Sequence, residues 1–156
     1  MAASGGGGEA NAKMRERVRY IGRRLGQPLK ILVGKPGLDG HSNGAEQIAL
    51  KLRDCGIAVV YDGIRLTPER IAARALAERV HVVGLSILSG SHLALVRDVM
   101  ARLEAQGMGD VPVIVGGIVP LADAEALRQA GVAAVYTPKD FNLSAILRDI
   151  LAVVER

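Results

Sequence analysis

Five short apolar runs, each followed by a stretch with helical periodicity, predict a doubly wound α/β domain built on one parallel sheet. Two further observations point the same way. Aromatic residues make up only 3% of the 156-residue chain and tryptophan is absent, so the core is left to Val, Ile, Leu and Ala, the residues that fill buried parallel strands. Five strand–helix units in a row after Pro28 imply parallel neighbours with helices on both faces, because right-handed crossovers are the common way to join them.

Residues 1–12, MAASGGGGEANA, are too small and glycine-rich to bury anything and are expected to form a disordered tail. Over 13–27, Met14, Val18, Ile21 and Leu25 recur at spacings of four, three and four, which predicts an amphipathic helix. Lys13, Arg15, Arg17, Arg19, Arg23 and Arg24 against Glu16 put +5 into this helix, so the formal net charge of +4 leaves 4 − 5 = −1 for everything else. Two roles stay open for it: packing on the domain's own surface, or docking to a partner protein. A membrane-surface role fits less well, because the stripe is thin and carries an aromatic only at Tyr20.

The domain proper is expected over 28–156, with strands at 30–33, 58–61, 80–86, 111–115 and 132–136. In the first helix after Pro28, Ala45, Ile48, Ala49 and Leu52 share a face. Thr67 reads as the N-cap of the next, with Pro68 at its first helical position and Ile71, Ala72, Ala75 and Leu76 as its stripe. A third helix spans about 91–106 with Leu93, Val96, Met100 and Leu103, and a fourth spans about 121–130 and stops at Gly131. The last carries Leu143, Ile146, Leu147, Ile150, Leu151 and Val154 at i, i+3, i+4, i+7 spacing. Strand order 2-1-3-4-5, the flavodoxin-like (Rossmann-like) arrangement, suits this chain. Its ligands sit beyond the C-terminal ends of the strands where the order reverses, between strands one and three.

Composition narrows the function. Cys55 is the only cysteine, which excludes a disulfide framework and a cysteine-rich metal site, suits a reduced cytoplasmic setting and assigns Cys55 to packing. No apolar run approaches the roughly 20 residues of a membrane span. The basic charge is confined to one helix rather than spread along a face with stacking aromatics, so neither nucleic acid nor membrane is expected as a partner.

The stretch GKPGLDGHSNG, residues 34–44, follows the first strand directly. Phosphate binding is poorly supported there. Gly34 is followed five positions later by Asp39 rather than Gly, with no Lys-Ser pair behind it; a G-x-G-x-x-G run is absent, and no carboxylates precede Asp39 to build a phosphorelay pocket. What remains is Asp39-Gly40-His41. A carboxylate two residues before a histidine can bond one ring nitrogen and leave the other as a directed lone pair, ready for a metal. An isolated D-x-H reads more readily as a turn aspartate beside a loop histidine, but here Gly37, Gly40 and Gly44, the Ser86-Ile87-Leu88 strand end and Gly116-Gly117 all make room at neighbouring strand ends. A zinc site needs about three protein ligands. His81 is predicted at the far end of strand three and reads as a packed strand residue; His92 could reach the ligand face, though a surface role at a helix start is the plainer reading. One axial histidine fits a metal that arrives in a macrocycle.

Asp39-x-His41-x-x-Gly44, Ser86-x-Leu88 and Gly116-Gly117 resemble the D-x-H-x-x-G, S-x-L and G-G signature of cobalamin-binding domains, over roughly residues 29–155. KPGLDGHSNGAEQIA, IRLTPE, VHVVGLSILSGSH, VPVIVGGIVP and GVAAVYTPKDF are similar to the B12 domain of acyl-CoA mutases, the ethylmalonyl-CoA type above all, with methylmalonyl-CoA and 2-hydroxyisobutyryl-CoA mutases as relatives. The resemblance implies adenosylcobalamin, a cobalt corrinoid, as cofactor. His41 would displace the dimethylbenzimidazole base and bind cobalt from below, polarised by Asp39 within the Asp39-Gly40-His41 turn. Gly44 would open the first domain helix to the nucleotide tail, Ser86 would hydrogen-bond the buried base, Leu88 would line its slot, and Gly116 and Gly117 would let tail and corrin edge lie against backbone. Thr137 would also touch the cofactor, although relatives carry G-P-G-T where this chain has Thr137-Pro138-Lys139-Asp140. None of these residues is catalytic. The implied partner is a large (β/α)8-barrel acyl-CoA mutase subunit, since a barrel of about 250 residues does not fit in this length. The chain is then an isomerase component, inactive alone. A corrinoid methyl carrier, a B12 sensor or storage module, and a non-corrinoid zinc or flavin binder stay as alternatives.

Overall fold

A computed structural model describes residues 2–36, 43–87, 93–117, 121–136 and 143–155. In chain order the elements are α1 (Ala2–Leu25), β1 (Lys30–Pro36), α2 (Asn43–Asp54), β2 (Ala58–Leu66), α3 (Pro68–Glu78), β3 (Val82–Ile87), α4 (Leu93–Ala105), β4 (Val113–Gly117), α5 (Leu121–Gln129), β5 (Ala134–Tyr136) and α6 (Leu143–Glu155). The five strands form one sheet in the order β2-β1-β3-β4-β5, every pairing parallel. The flavodoxin-like order predicted from the alternation is the one observed.

Strand alternation divides the core in two. Leu32, Val83, Leu85, Ile87, Val113 and Val115 face α3, α4 and α5, whose Ile71, Ala75, Val96, Leu103 and Leu127 complete that layer. Ile31, Val33, Val82 and Ile114 face the other way, against Val18 and Ile21 of α1, Leu52 of α2 and Ile146, Leu147, Ile150 and Leu151 of α6. Both faces of the central strands are therefore covered, which is why they read as unbroken apolar runs.

Where strands three and five were expected to begin, at 80 and 132, the chain is instead still closing a helix. Val80 N–H bonds the Ala75 carbonyl and Val132 N–H bonds the Leu127 carbonyl, the wide turn that ends a helix and buries the apolar residue just beyond it. That turn needs a left-handed residue before the apolar one. Gly131 supplies it after α5 (φ 110°), whereas α3 uses Arg79 (φ 53°), the only non-glycine residue with positive φ among the described residues. An L side chain there carries a steric penalty that glycine avoids. Arg79→Gly is accordingly expected to raise stability by about 1 kcal/mol, read from the urea midpoint; no gain would show that Arg79 holds its conformation without strain. At the start of α3 the predicted cap is present: Thr67 Oγ1 accepts from Arg70 N–H at 3.1 Å, with Pro68 following.

The N-terminal segment differs from expectation. Helical backbone runs back to Ala2, through the residues whose composition predicts a disordered tail over 1–12, and ends at Leu25 rather than 27. Extending an existing helix needs no new nucleus, and the described packing of α1 begins at Met14. Of the predicted stripe, Val18 and Ile21 are buried, while Leu25 stays exposed, as does Leu76 of α3. Arg15 Nε donates to the Asp54 carbonyl at 3.0 Å, capping the C-terminus of α2 with a positive charge. No helix among the described residues is long and apolar enough to cross a membrane.

Candidate functional site

The order reversal sits between β1 and β3, which pair through Ile31–Val82, Leu32–Val83, Val33–Gly84 and Gly34–Leu85. At the C-terminal end of β3, Ser86 lies opposite Gly116 of β4, and Gly116 lies opposite Tyr136 of β5. Val83, Leu85 and Ile87 face α3, α4 and α5, so alternation turns Gly84 and Ser86 toward the α2 and α6 side. The result is a row with almost no side chain, Gly84, Ser86 and Gly116, walled by Tyr136.

Each member of that row has its own reason. A Cβ built on Gly116 would meet only Tyr136, its Cβ at 3.9 Å and its carbonyl oxygen at 4.0 Å, so the fold itself leaves space for a methyl group there. At Gly84 a Cβ would touch the Leu32 carbonyl oxygen at 3.6 Å and Ile114 Cγ1 at 3.7 Å, a filled but unstrained fit. Gly117 is different. Its φ is 135°, a conformation that L side chains rarely adopt, and a Cβ would collide with the Ile87 carbonyl. Gly117 thus serves the chain path at the strand end, whereas Gly116 leaves a cradle that a side chain would fill. The Tyr136 hydroxyl donates to Asp149 Oδ2 of α6 at 2.7 Å. Burial, reinforced by this bond, pushes the phenol well above its ordinary pKa, so it stays a neutral donor and holds its ring as a fixed wall.

Of the residues predicted to form the site, Ser86, Gly116 and Gly117 come together at this edge, and Gly44 lies in the first turn of α2, on the same side of the sheet. Asp39, Gly40, His41, Leu88 and Thr137 lie outside the described residues, as does His92. Gly84 and Tyr136 escaped the sequence reading. A lone glycine inside the run VHVVGLS was the available signal for the first; register across β4 and β5 is needed to find the second.

His81 lies at the opposite, N-terminal edge, as the sequence predicts. Lys30 N–H donates to His81 Nδ1 at 3.0 Å while His81 N–H donates to the Lys30 carbonyl at 2.8 Å, and the Gln27 side chain lies 3.1 Å from Nε2. Burial and then the Lys30 ammonium lower the ring's pKa below 6.5, and a proton on Nδ1 would also remove the lone pair that accepts the Lys30 N–H. Because the unfolded chain binds that proton more tightly, the stabilisation is complete above pH 6.5 and drains away as pH falls toward the depressed folded value. Melting temperature followed from pH 7.5 to 5 should decline more steeply for the wild type than for His81→Gln; parallel curves would show that His81 contributes nothing to acid sensitivity. Cys55 is buried and its thiol pKa is raised by that burial, consistent with packing.

Comparison with known proteins extends these observations. The B12 binding domain family matches residues 29–146. The chain is 62% identical over 143 residues to the ethylmalonyl-CoA mutase of Cereibacter sphaeroides, covering 92% of this chain but 22% of that protein, so it spans about a fifth of that relative's length. It is 40% identical over 127 residues to the 2-hydroxyisobutanoyl-CoA mutase small subunit of Aquincola tertiaricarbonis, covering 81% of this chain and 93% of that one. Among solved structures it is similar to a cobalamin-binding protein from Desulfitobacterium hafniense DCB-2, with TM-score 0.69 at 21% identity over 80% of this chain and 58% of that chain, a likeness of fold.

Proposed function

This chain belongs to the B12-binding domain family, and we propose that it holds adenosylcobalamin, base-off and histidine-ligated, as the cofactor-carrying component of a radical acyl-CoA mutase. The observation that carries this reading is the Ser86–Gly116 pair at the strand edge where the sheet order reverses, with space at Gly116 that the fold does not use. A flat aromatic base fits such a space. In this role Ser86 offers a hydroxyl to the base, Tyr136 bounds the slot, Gly44 lets α2 start close to the tail, and His41 presents a neutral imidazole to cobalt with Asp39 holding its other nitrogen. Leu88 and Thr137 complete the lining. When bound, the corrinoid supplies a weak cobalt–carbon bond for radical isomerisation. This chain's residues bind and orient it, and the acyl-CoA is held by a separate (β/α)8-barrel subunit. Near-complete coverage of a mutase small subunit supports that division of labour.

The test is direct. Mixing the chain with adenosylcobalamin should give a base-off absorption spectrum, and pull-down from the native cell should bring a barrel-type mutase chain with it. An unchanged free-cofactor spectrum would sink the binding role; cofactor without any mutase chain would favour a sensor or storage module.

A further inference from the structure

We infer that the outward face of α1 is a docking surface for a carboxylate-rich patch on a partner protein, the substrate-binding subunit, an inference that rests on the cofactor-carrier role proposed above. The apolar stripe of this helix is not available to any partner: Val18 and Ile21 are each 3% exposed, buried in the domain's own core. A helix whose apolar side is already buried has nothing to insert into a bilayer. Its opposite side carries Lys13, Arg19 and Arg23, all exposed, around Tyr20, which is 51% exposed and has the Arg24 guanidinium 5.9 Å from its ring centroid.

Part of this charge has an internal explanation. Arg15 caps α2, and Arg23 and Arg24 lie in the last turn of α1, where the helix dipole favours cations. Lys13 and Arg19 share a single anion, Glu16, three residues from each, and among the described residues the exposed ring of Tyr20 is covered only by Arg24, so the face keeps an excess of positive charge. Arg19 and Arg23 are four residues apart, like charges on adjacent turns of one face, and Glu16, three residues before Arg19, offsets only part of that charge. Arginine with tyrosine is the composition of protein interfaces, and guanidinium forks match carboxylates. With +4 on α1, six cations against Glu9 and Glu16, and 4 − 4 = 0 on the remainder, the attraction is local to this helix.

Its position is also informative. Arg15 reaches the C-terminal end of α2 and Gln27, just past α1, reaches His81, so α1 is anchored at the N-terminal edge of the strands. The candidate cofactor row lies at the other edge. A partner held at α1 therefore leaves the cofactor edge unobstructed, and a second, independent contact raises the effective concentration of cofactor at the partner's active site.

The experiment compares the full-length chain with R19E/R23E in binding to a barrel-type acyl-CoA mutase chain from the same cell, at about 50 and 300 mM salt. The variant is expected to bind roughly tenfold or more weakly at low salt, to lose the salt dependence of the wild type, and to take up adenosylcobalamin unchanged. The charge-neutral R19Q/R23Q, expected in between, replaces it if circular dichroism shows that the reversal unfolds α1. Binding within about twofold of wild type for both variants overturns the surface. So does wild-type binding to duplex DNA or to phosphatidylserine vesicles as tight as to the mutase chain. A wild-type chain that takes up cofactor but binds no mutase chain removes the partner role, and this surface with it; one that binds the mutase chain through α1 without cofactor removes only the cofactor role.

Discussion

Replacing His41 with alanine is expected to abolish the base-off, histidine-ligated spectrum and to weaken cobalamin uptake by more than about a hundredfold, since it deletes the one protein ligand proposed for the metal. In the proposed arrangement Asp39→Ala leaves the imidazole in place but frees its tautomer and orientation, so a smaller loss of about ten- to a hundredfold is expected. Absorbance titration with adenosylcobalamin, with melting of the apoprotein as control, reads both. An alanine variant that still gives the wild-type spectrum would end the cobalt-ligation proposal.

The adjacent glycines should behave oppositely to one another. Gly117→Ala forces an L residue to φ 135° and drives its Cβ into the Ile87 carbonyl, so β3 and β4 must separate at their ends. A loss of about 3 kcal/mol or more is expected, at the high end for one methyl group. Gly116→Ala meets only ordinary contacts with Tyr136 at 3.9–4.0 Å and should leave the urea midpoint almost unchanged. Its effect should fall on cobalamin uptake, because the methyl fills the space proposed for the nucleotide tail. The pair thus distinguishes a glycine needed by the chain from one needed by a ligand. Equal destabilisation by both, or normal uptake in Gly116→Ala, would remove the cradle from the proposal.

The strand and helix alternation, the sheet order and the Thr67 cap could all be read from residue pattern, because each depends on local periodicity or on a handedness rule that applies to every parallel crossover. The motif triplet around His41, Ser86 and Gly116 was visible for the same reason: glycine and histidine in an otherwise aliphatic chain stand out without coordinates. Strand starts at 80 and 132 were misread because an apolar residue closing a helix and one opening a strand look alike; only the bonds from Val80 and Val132 back to Ala75 and Leu127 distinguish them. The two roles left open for α1 were likewise inseparable by pattern, since a buried stripe and a docking stripe have the same spacing.

Tertiary structure decided what depends on neighbours distant in sequence. It assigned Val18 and Ile21 to the domain core and thereby turned the arginines outward. Register added Gly84 and Tyr136 to the Ser86–Gly116 row. The split between Gly116 and Gly117 is the sharpest case: identical letters, adjacent in the chain, are separated by φ and by the Ile87 carbonyl across the sheet. Composition and order specify which residues are available and in what local conformation. Which of them meet, and where space is left over, is set by strand pairing and layer packing, quantities that exist only once the sheet has closed.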